Sequence, residues 1–270
     1  MAKWRNSEML KWRLAGVWVC LLVAAPAWAQ VEVPKAATRP GVDRGVRGTF
    51  SLMASYGLDL DLFGEVLNPA LGETPERIVQ VPNQIPYPQV YVATPRRLLV
   101  TAGFGVFQRR ELIVQYSRTE NAADPSAVGE VLTASGRRAL TGTFTAYKDQ
   151  SLEGGLRHYF KATGPSRKYV NLLFGRRKTE AISARMTGGP ADSDLGDLRL
   201  YDKASVPTAA IVFGATWERG FIGVYVEAGV RWTQRLPRQD DDLRVHMLEG
   251  INNTGSRTFM PAAIGIVIRK

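Results

Sequence analysis

Two pairs of oppositely charged residues recur at one spacing: Glu153 with Arg157, and Glu227 with Arg231. Both sit in segments where apolar residues alternate with small or polar ones. Around the second pair, Ile222, Val224, Val226, Ala228, Val230 and Trp232 take every even position between Phe221 and Thr233. Side chains of a strand alternate between its faces, so each acid shares a face with its arginine, opposite the apolar residues. Four residues along a strand span about 13 Å, too far for direct contact. Each charge therefore needs a partner on another strand. In an enclosed space only paired, hydrogen-bonded charges persist, and the four residues then form a charge network. Near a rim they would instead stand in water.

Other chemistry is sparse. After the first thirty residues the chain carries two histidines, His158 and His246. Tyr159 and Phe160 follow His158, with no serine at a useful spacing. His246 lies near Asp240, Asp241, Asp242 and Glu249, a pattern that fits a weak metal cluster or a solvated acidic loop. No nucleophile–base pair and no zinc-type ligand spacing is present. The reading is therefore non-catalytic and calls for no cofactor. Arginines and lysines instead gather where strands meet long polar connections: Arg96, Arg97, Arg118, Lys148, Arg176, Arg177, Lys178, Arg235, Arg238 and Arg257. Of these, Arg96, Arg97, Arg176, Arg177 and Lys178 are candidate contacts for lipopolysaccharide phosphates, since the arginine fork suits phosphate oxygens. The alternative is snorkelling at a membrane edge.

The elements that would position these residues begin after an export signal. Lys3, Arg5, Lys11 and Arg13 precede an uncharged apolar run from Leu14 to Ala25, then Pro26 and Ala27-Trp28-Ala29. This is the pattern of a cleaved signal peptide over 1–29; the run is shorter than the ~20 residues of a spanning helix. Cleavage removes the single cysteine, so no disulfide is expected. It also removes those four cations and Glu8, lowering the formal charge of +10 by three. Export makes nucleic acid an unsuitable partner. Residues 30–46, with Pro34 and Pro40, read as a periplasmic tail.

From 47 to 270 the chain reads as eight alternating strands: 50–58, 98–107, 112–119, 152–161, 169–175, 206–217, 221–233 and 258–269. Their connections alternate long and short, the long ones at about 59–97, 120–150, 179–205 and 234–257. The first carries six prolines and cannot be a central strand over most of its length. Its pieces at 77–81 and 90–93 either extend flanking strands or form a small hairpin; within the membrane such a hairpin would make ten strands. The segment 139–147 alternates enough to be the upper part of the fourth strand. No segment is long and apolar enough for a membrane helix, so a membrane location requires a closed barrel. The expected fold is all-β, an eight-stranded antiparallel up-and-down transmembrane β-barrel with short periplasmic turns and long extracellular loops.

A soluble lipocalin-like barrel is the competing arrangement. It would place the second face in water, yet that face carries Gly103, Gly105, Gly155, Gly175, Gly214, Gly223, Gly229 and Gly265, which suit the crowded lumen of a small barrel. Aromatics near the strand ends (Tyr56, Tyr116 and Trp232; Phe50, Phe160 and Trp217) suit two membrane interfaces. The passages L-E-G-G-L-R-H-Y-F, K-Y-V-N-L-L-F-G and F-G-A-T-W-E-R-G-F-I-G-V-Y-V-E-A-G-V-R-W resemble the small outer-membrane barrels of Gram-negative bacteria, the OmpA, OmpX and OmpW kind. The resemblance implies residence in outer-membrane lipid and lipopolysaccharide, and insertion by the outer-membrane assembly machinery. Some barrels of this size modify lipid A through a His/Ser or His/Asp/Ser site, which these histidines do not reproduce. This chain ends Ile268-Arg269-Lys270, where those proteins usually end in an aromatic residue, and no peptidoglycan-binding domain is expected after the barrel. A filled lumen, with a role in envelope structure or surface interaction, and a narrow solute channel both fit the pattern. The external ligand is left open.

Overall fold

The alternating segments become strands because each can bury one face and pair its backbone on both sides. A computed structural model describes residues 45–91, 96–161, 163–188 and 194–270. The first strands are β1 (Phe50–Phe63), β2 (Glu65–Leu67), β3 (Ala70–Glu73), β4 (Arg77–Val81) and β5 (Ile85–Pro86), followed by a short helix α1 (Tyr87–Val90). Then come β6 (Arg96–Phe107), β7 (Arg110–Asn121), β8 (Ser126–Thr133), β9 (Gly136–Phe144), β10 (Tyr147–Tyr159) and β11 (Ser166–Thr179). The chain continues through β12 (Ile182–Thr187), β13 (Gly196–Tyr201), β14 (Ala204–Arg219) and β15 (Ile222–Thr233) to α2 (Asp241–Arg244) and β16 (Arg257–Arg269).

Eight long strands close a barrel in the order β1-β16-β15-β14-β11-β10-β7-β6. Every pairing is antiparallel, and β1 joins the ends of the sheet by pairing with β6 on one side and β16 on the other. The Phe50 N–H donates to the Lys270 carbonyl at 2.7 Å, so the closing seam runs to the last residue. The expected signal peptide over 1–29, and all of the 30–46 tail but its last two residues, lie outside the described residues. Val46 is fully buried among Met53, Tyr159, Tyr169, Tyr225 and Val267. Its N–H donates to the Gln108 carbonyl at 3.0 Å. Gly105 is required there, because a Cβ at that position would run into the Val46 carbonyl.

The faces are inverted relative to a soluble barrel. Leu152, Phe174 and Ile264 are 61%, 67% and 65% exposed on the outside, while their neighbours Glu153 and Arg157 are 1% and 0% exposed. Tyr56, Tyr116 and Trp232 stand outward at the long-connection end, and Phe50, Phe104 and Phe160 at the short-turn end. An apolar belt encircling a protein far exceeds the patches that water-soluble monomers expose. With an even strand number, short turns at one end, long connections at the other and an aromatic girdle at each interface, this is the fold of the outer-membrane β-barrels.

The long connections differ from simple loops. Three of them each contribute a hairpin to a second, six-stranded sheet, in the order β13-β12-β9-β8-β4-β3. The hairpins join through β4 with β8 (Ile78 opposite Leu132) and β9 with β12 (Phe144 opposite Ala184). Arg77–Val81 therefore belongs to this cap and adds no strand to the barrel, which has eight. Gly136–Phe144 likewise turns back on β8, and the barrel strand restarts at Tyr147. Val79, Val81, Val131, Leu140, Phe144, Ile182, Ala184, Met186, Leu198 and Leu200 line the buried face of the cap. The fourth connection packs Leu236, Leu243, Leu248 and Ile251 into the same core. Tyr201, at the end of β13, fastens the third connection to the first by donating to the Val66 carbonyl at 2.7 Å.

Replacing fully buried Val131 with aspartate places an unpaired carboxylate in the cap core, a cost of several kcal/mol. We expect V131D to make the cap protease-sensitive while the barrel still migrates faster before boiling than after it on SDS gels. Loss of that shift would mean the barrel depends on the cap to fold.

Candidate functional site: the charged lumen

The side chains that fill the barrel fall into three tiers along its axis. Each strand places a lumen-facing residue at every second position, and the charged ones lie at similar heights because the register is regular.

At the short-turn end, Glu111 on β7 is the common acceptor. Arg157 Nη1 reaches it at 3.1 Å, Arg269 Nη1 at 3.0 Å and the Tyr159 hydroxyl at 2.9 Å, with the Ser51 hydroxyl as a further donor. Arg157 lies directly opposite Glu111 in the β7–β10 register. Arg157 also donates from Nε to Asn171 at 2.8 Å, and its guanidinium stacks over the Tyr169 ring at 4.4 Å. The Tyr169 hydroxyl donates to Glu227 at 3.3 Å. Arg269 and Arg167 both reach Glu218, at 3.2 and 3.4 Å.

In the middle, Arg231 Nη2 meets Glu153 at 2.6 Å. The pair is 1% and 0% exposed at the side chain and joins β15 to β10. Those strands are separated by β14 and β11 in the sheet, so the bridge crosses the lumen. At the cap end, Arg177 pairs with Asp149, Arg257 pairs with Asp61 and approaches Asp149 at 3.6 Å, and Arg97 lies 3.6 Å from Asp59. The Phe259 ring has the Arg177 and Arg257 guanidiniums at 4.7 and 5.0 Å from its centroid. A void of about 10 Å³ remains between barrel and cap, lined in part by Tyr87, Tyr147, Asp149, Arg177 and Arg257. That is room for about one water. Among the described residues every buried cation is an arginine. The planar, weakly hydrated fork is suited to such pairs, whereas an ammonium is strongly hydrated.

The structure thus places Glu153, Arg157, Glu227 and Arg231 inside the lumen, but not as two pairs of their own. Glu153 pairs with Arg231, Arg157 with Glu111, and Glu227 with a tyrosine. The basic residues separate by parity. Arg96, Arg176 and Lys178 are exposed on the outer face, whereas Arg97 and Arg177 are 1% and 4% exposed inside. This corrects the expectation that all five contact lipopolysaccharide: two of them are spent on Asp59 and Asp149. Arg176 also donates to the Ser205 carbonyl at 2.6 Å. His158 and His246 lie apart, His158 on the outer face of β10 and His246 in the cap beside Arg77 Nη2 at 2.9 Å from Nδ1. Partial burial and that guanidinium hold the His246 imidazole below its ordinary pKa. Among the described residues no three metal-ligating side chains cluster.

Glu111, Asp59, Asp61, Asp149 and Arg269 complete the network without having been singled out for it from the sequence, and Arg257, expected among the cations at the strand ends, turns inward to join them. The signal for them was parity. Glu111 continues Gln115 and Ile113 backwards by two, Asp149 precedes Ser151 and Glu153, and Asp59 and Asp61 follow Gly57. Charge and nearby prolines make these positions look like connections, although their strands run on through them.

Glu153→Ala would leave the Arg231 guanidinium buried and unpaired, a loss of roughly 3–5 kcal/mol. We expect a lower urea midpoint for the barrel refolded in vesicles, largely recovered when Arg231→Met and Glu153→Leu are combined. A midpoint unchanged in the single variant would show that the bridge does not hold the wall.

Similar folds occur among solved structures. The chain is similar to Ail, the attachment invasion locus protein of Yersinia pestis, with 10% identity over 83% of this chain and 99% of that one, at a TM-score of 0.40. Neisserial surface protein A has 13% identity over 82% and 99%, also at 0.40. The outer membrane protein OprG from Pseudomonas aeruginosa has 9% over 85% and 99%, at 0.45. No family model matches the chain, and no curated protein matches it in sequence. The transmembrane assignment accordingly stands on strand register and on the two faces of the barrel.

Proposed function

We propose that this protein is a closed, non-catalytic barrel of the outer membrane that displays a folded β-sheet cap at the cell surface for interaction with an external partner. The observation that carries this reading is the Glu153–Arg231 bridge across the lumen, with tiers of arginine–carboxylate pairs above and below it. An eight-stranded lumen is just wide enough for side chains to fill. Emptying it for a solute would mean breaking buried ion pairs, each costly to separate. The cap supports the second half of the reading: four connections that could have been short are instead long enough to build a common core. The signal-peptide pattern expected at residues 1–29 and the outward apolar belt support an outer-membrane location, and the assembly machinery is the proposed route there.

The competing reading is a narrow channel, and bilayer conductance separates the two. The wild-type protein is expected to show no steady conductance, and Glu227→Ala/Arg231→Ala to raise it measurably by loosening the lumen. Steady conductance in the wild type, unaltered in that variant, would favour a channel. A cysteine introduced by Val245→Cys, on an exposed part of the cap, should react with a membrane-impermeant maleimide on intact cells.

Lipopolysaccharide is the natural lipid partner at the cap end, through the outward cations Arg96, Arg176 and Lys178. Each charge near an anionic lipid surface is worth about 1 kcal/mol. Reversing Arg176 and Lys178 to glutamate should cut retained lipopolysaccharide severalfold after detergent extraction; unchanged retention would reduce these residues to snorkelling.

A further inference from the structure

The short-turn end of the barrel carries a second cationic feature that the lumen network does not use. The turn between β6 and β7 places Arg109 and Arg110 beside Arg47, which the hydrogen bonds of Val46 to Gln108 and of Gly48 to Gly105 hold against the hairpin. Arg110 lies opposite Phe107 on β6 and opposite His158 on β10. Arg47, Phe107, Gln108, Arg109, Arg110 and His158 line a cleft of about 460 Å³.

Three properties give this cleft a ligand class. First, Arg47, Arg109 and Arg110 are exposed and have no ion-pair partner among the described residues. The nearby carboxylates are turned away: Glu111 faces the lumen, and Glu218 is held by Arg167 and Arg269. Second, the same rim exposes Lys161, Arg219 and Lys270, so the local field is positive. Third, the cleft lies where the outer wall changes from apolar to cationic. Phe104, Phe107 and Phe160 are more than half exposed there, and His158 meets Phe160 edge-on at 5.9 Å. Aromatic rings at such a boundary mark the level of the lipid head groups. The chemistry that fits is a phosphate joined to hydrocarbon: arginine forks for the phosphate oxygens, and the apolar wall above for acyl chains.

We propose that this cleft binds the head group of an anionic phospholipid, of the phosphatidylglycerol or cardiolipin type, in the leaflet at the short-turn end. The cleft would anchor that end of the barrel, opposite the cap. This rests on the reading of the protein as a membrane barrel whose short turns face the inner leaflet.

The test uses the full-length protein refolded in detergent, with bound lipid counted by native mass spectrometry. Equal amounts of phosphatidylglycerol and phosphatidylcholine are offered, with and without millimolar inorganic phosphate. The wild type should retain phosphatidylglycerol preferentially. Arg47→Gln/Arg109→Gln/Arg110→Gln should lose that preference, by about fivefold per charge removed. A control that removes equal charge from the same rim outside the cleft, Lys161→Gln/Arg219→Gln/Lys270→Gln, should keep most of it. If the control loses as much as the cleft variant, the attraction is diffuse and the site is overturned. Complete displacement by inorganic phosphate would also overturn the lipid assignment, since a lipid held by head group and chains resists a free anion. If the triple variant does not refold, Arg110→Gln alone should still lower the preference about fivefold. Heat-modifiability on SDS gels is read on every sample. A wild type without that shift fails the membrane reading itself, whereas a shifting barrel with no lipid preference fails only the cleft.

Discussion

Closure of the β-sheet is the constraint on which the rest of this structure depends. In hydrocarbon no water is present to satisfy a backbone N–H or carbonyl, and an open sheet edge would leave a row of them unpaired. The pairing of β1 with β16 removes that edge. Once the ring is closed, side-chain alternation becomes a partition between two environments. Odd positions of β15 are inside and even ones outside, and a one-residue slip at any seam would exchange lipid for lumen along a whole strand. The register therefore determines at once which residues meet acyl chains and which must find partners in a narrow interior.

That interior is filled by charge rather than by oil. A barrel of eight strands encloses too little space for water to solvate several ions, so each arginine needs a carboxylate, a tyrosine hydroxyl or an aromatic face. Glu111 illustrates how far this goes, with four donors from three strands on one carboxylate. Such pairs contribute less to net stability than their geometry suggests, because desolvation offsets much of the attraction. Their stronger effect is on uniqueness. A guanidinium that crosses the lumen to Glu153 has one place to go, and a misregistered strand would strand it.

The two ends of the barrel then acquire different surfaces for one reason, the asymmetry of connection length. Long connections can reach one another and build a sheet with its own apolar core, which shields the cap-end tier of ion pairs. Short turns cannot do this. Their charges remain at the surface, and the Val46 side chain closes the lumen from that side instead. The proposed partner surface and the proposed lipid cleft therefore fall at opposite ends, with the barrel wall between them.

Much of the barrel was legible in the chain because transmembrane strands have a period of two and need only local pattern to be recognised. The glycine-rich second face, the alternation of long and short connections and the inward direction of Glu227 and Arg231 follow from that pattern without coordinates. The partners of those charges do not. Nothing local to Arg231 indicates Glu153, seventy-eight residues earlier; the pairing exists because closure brings β10 and β15 to opposite walls. The fate of Arg97 and Arg177, next to Arg96 and Arg176 in sequence, turns on a single step of parity near a strand end that polarity disguised. The cap was hidden most completely. Its strands are short, Gly- and Pro-flanked and drawn from three separate connections, and each hairpin alone has too little apolar area to be stable in water. The chain by itself determined two-faced strands and their order. Only the closed tertiary structure decided which charges meet and what covers the mouth, because both depend on contacts between segments that no local pattern relates.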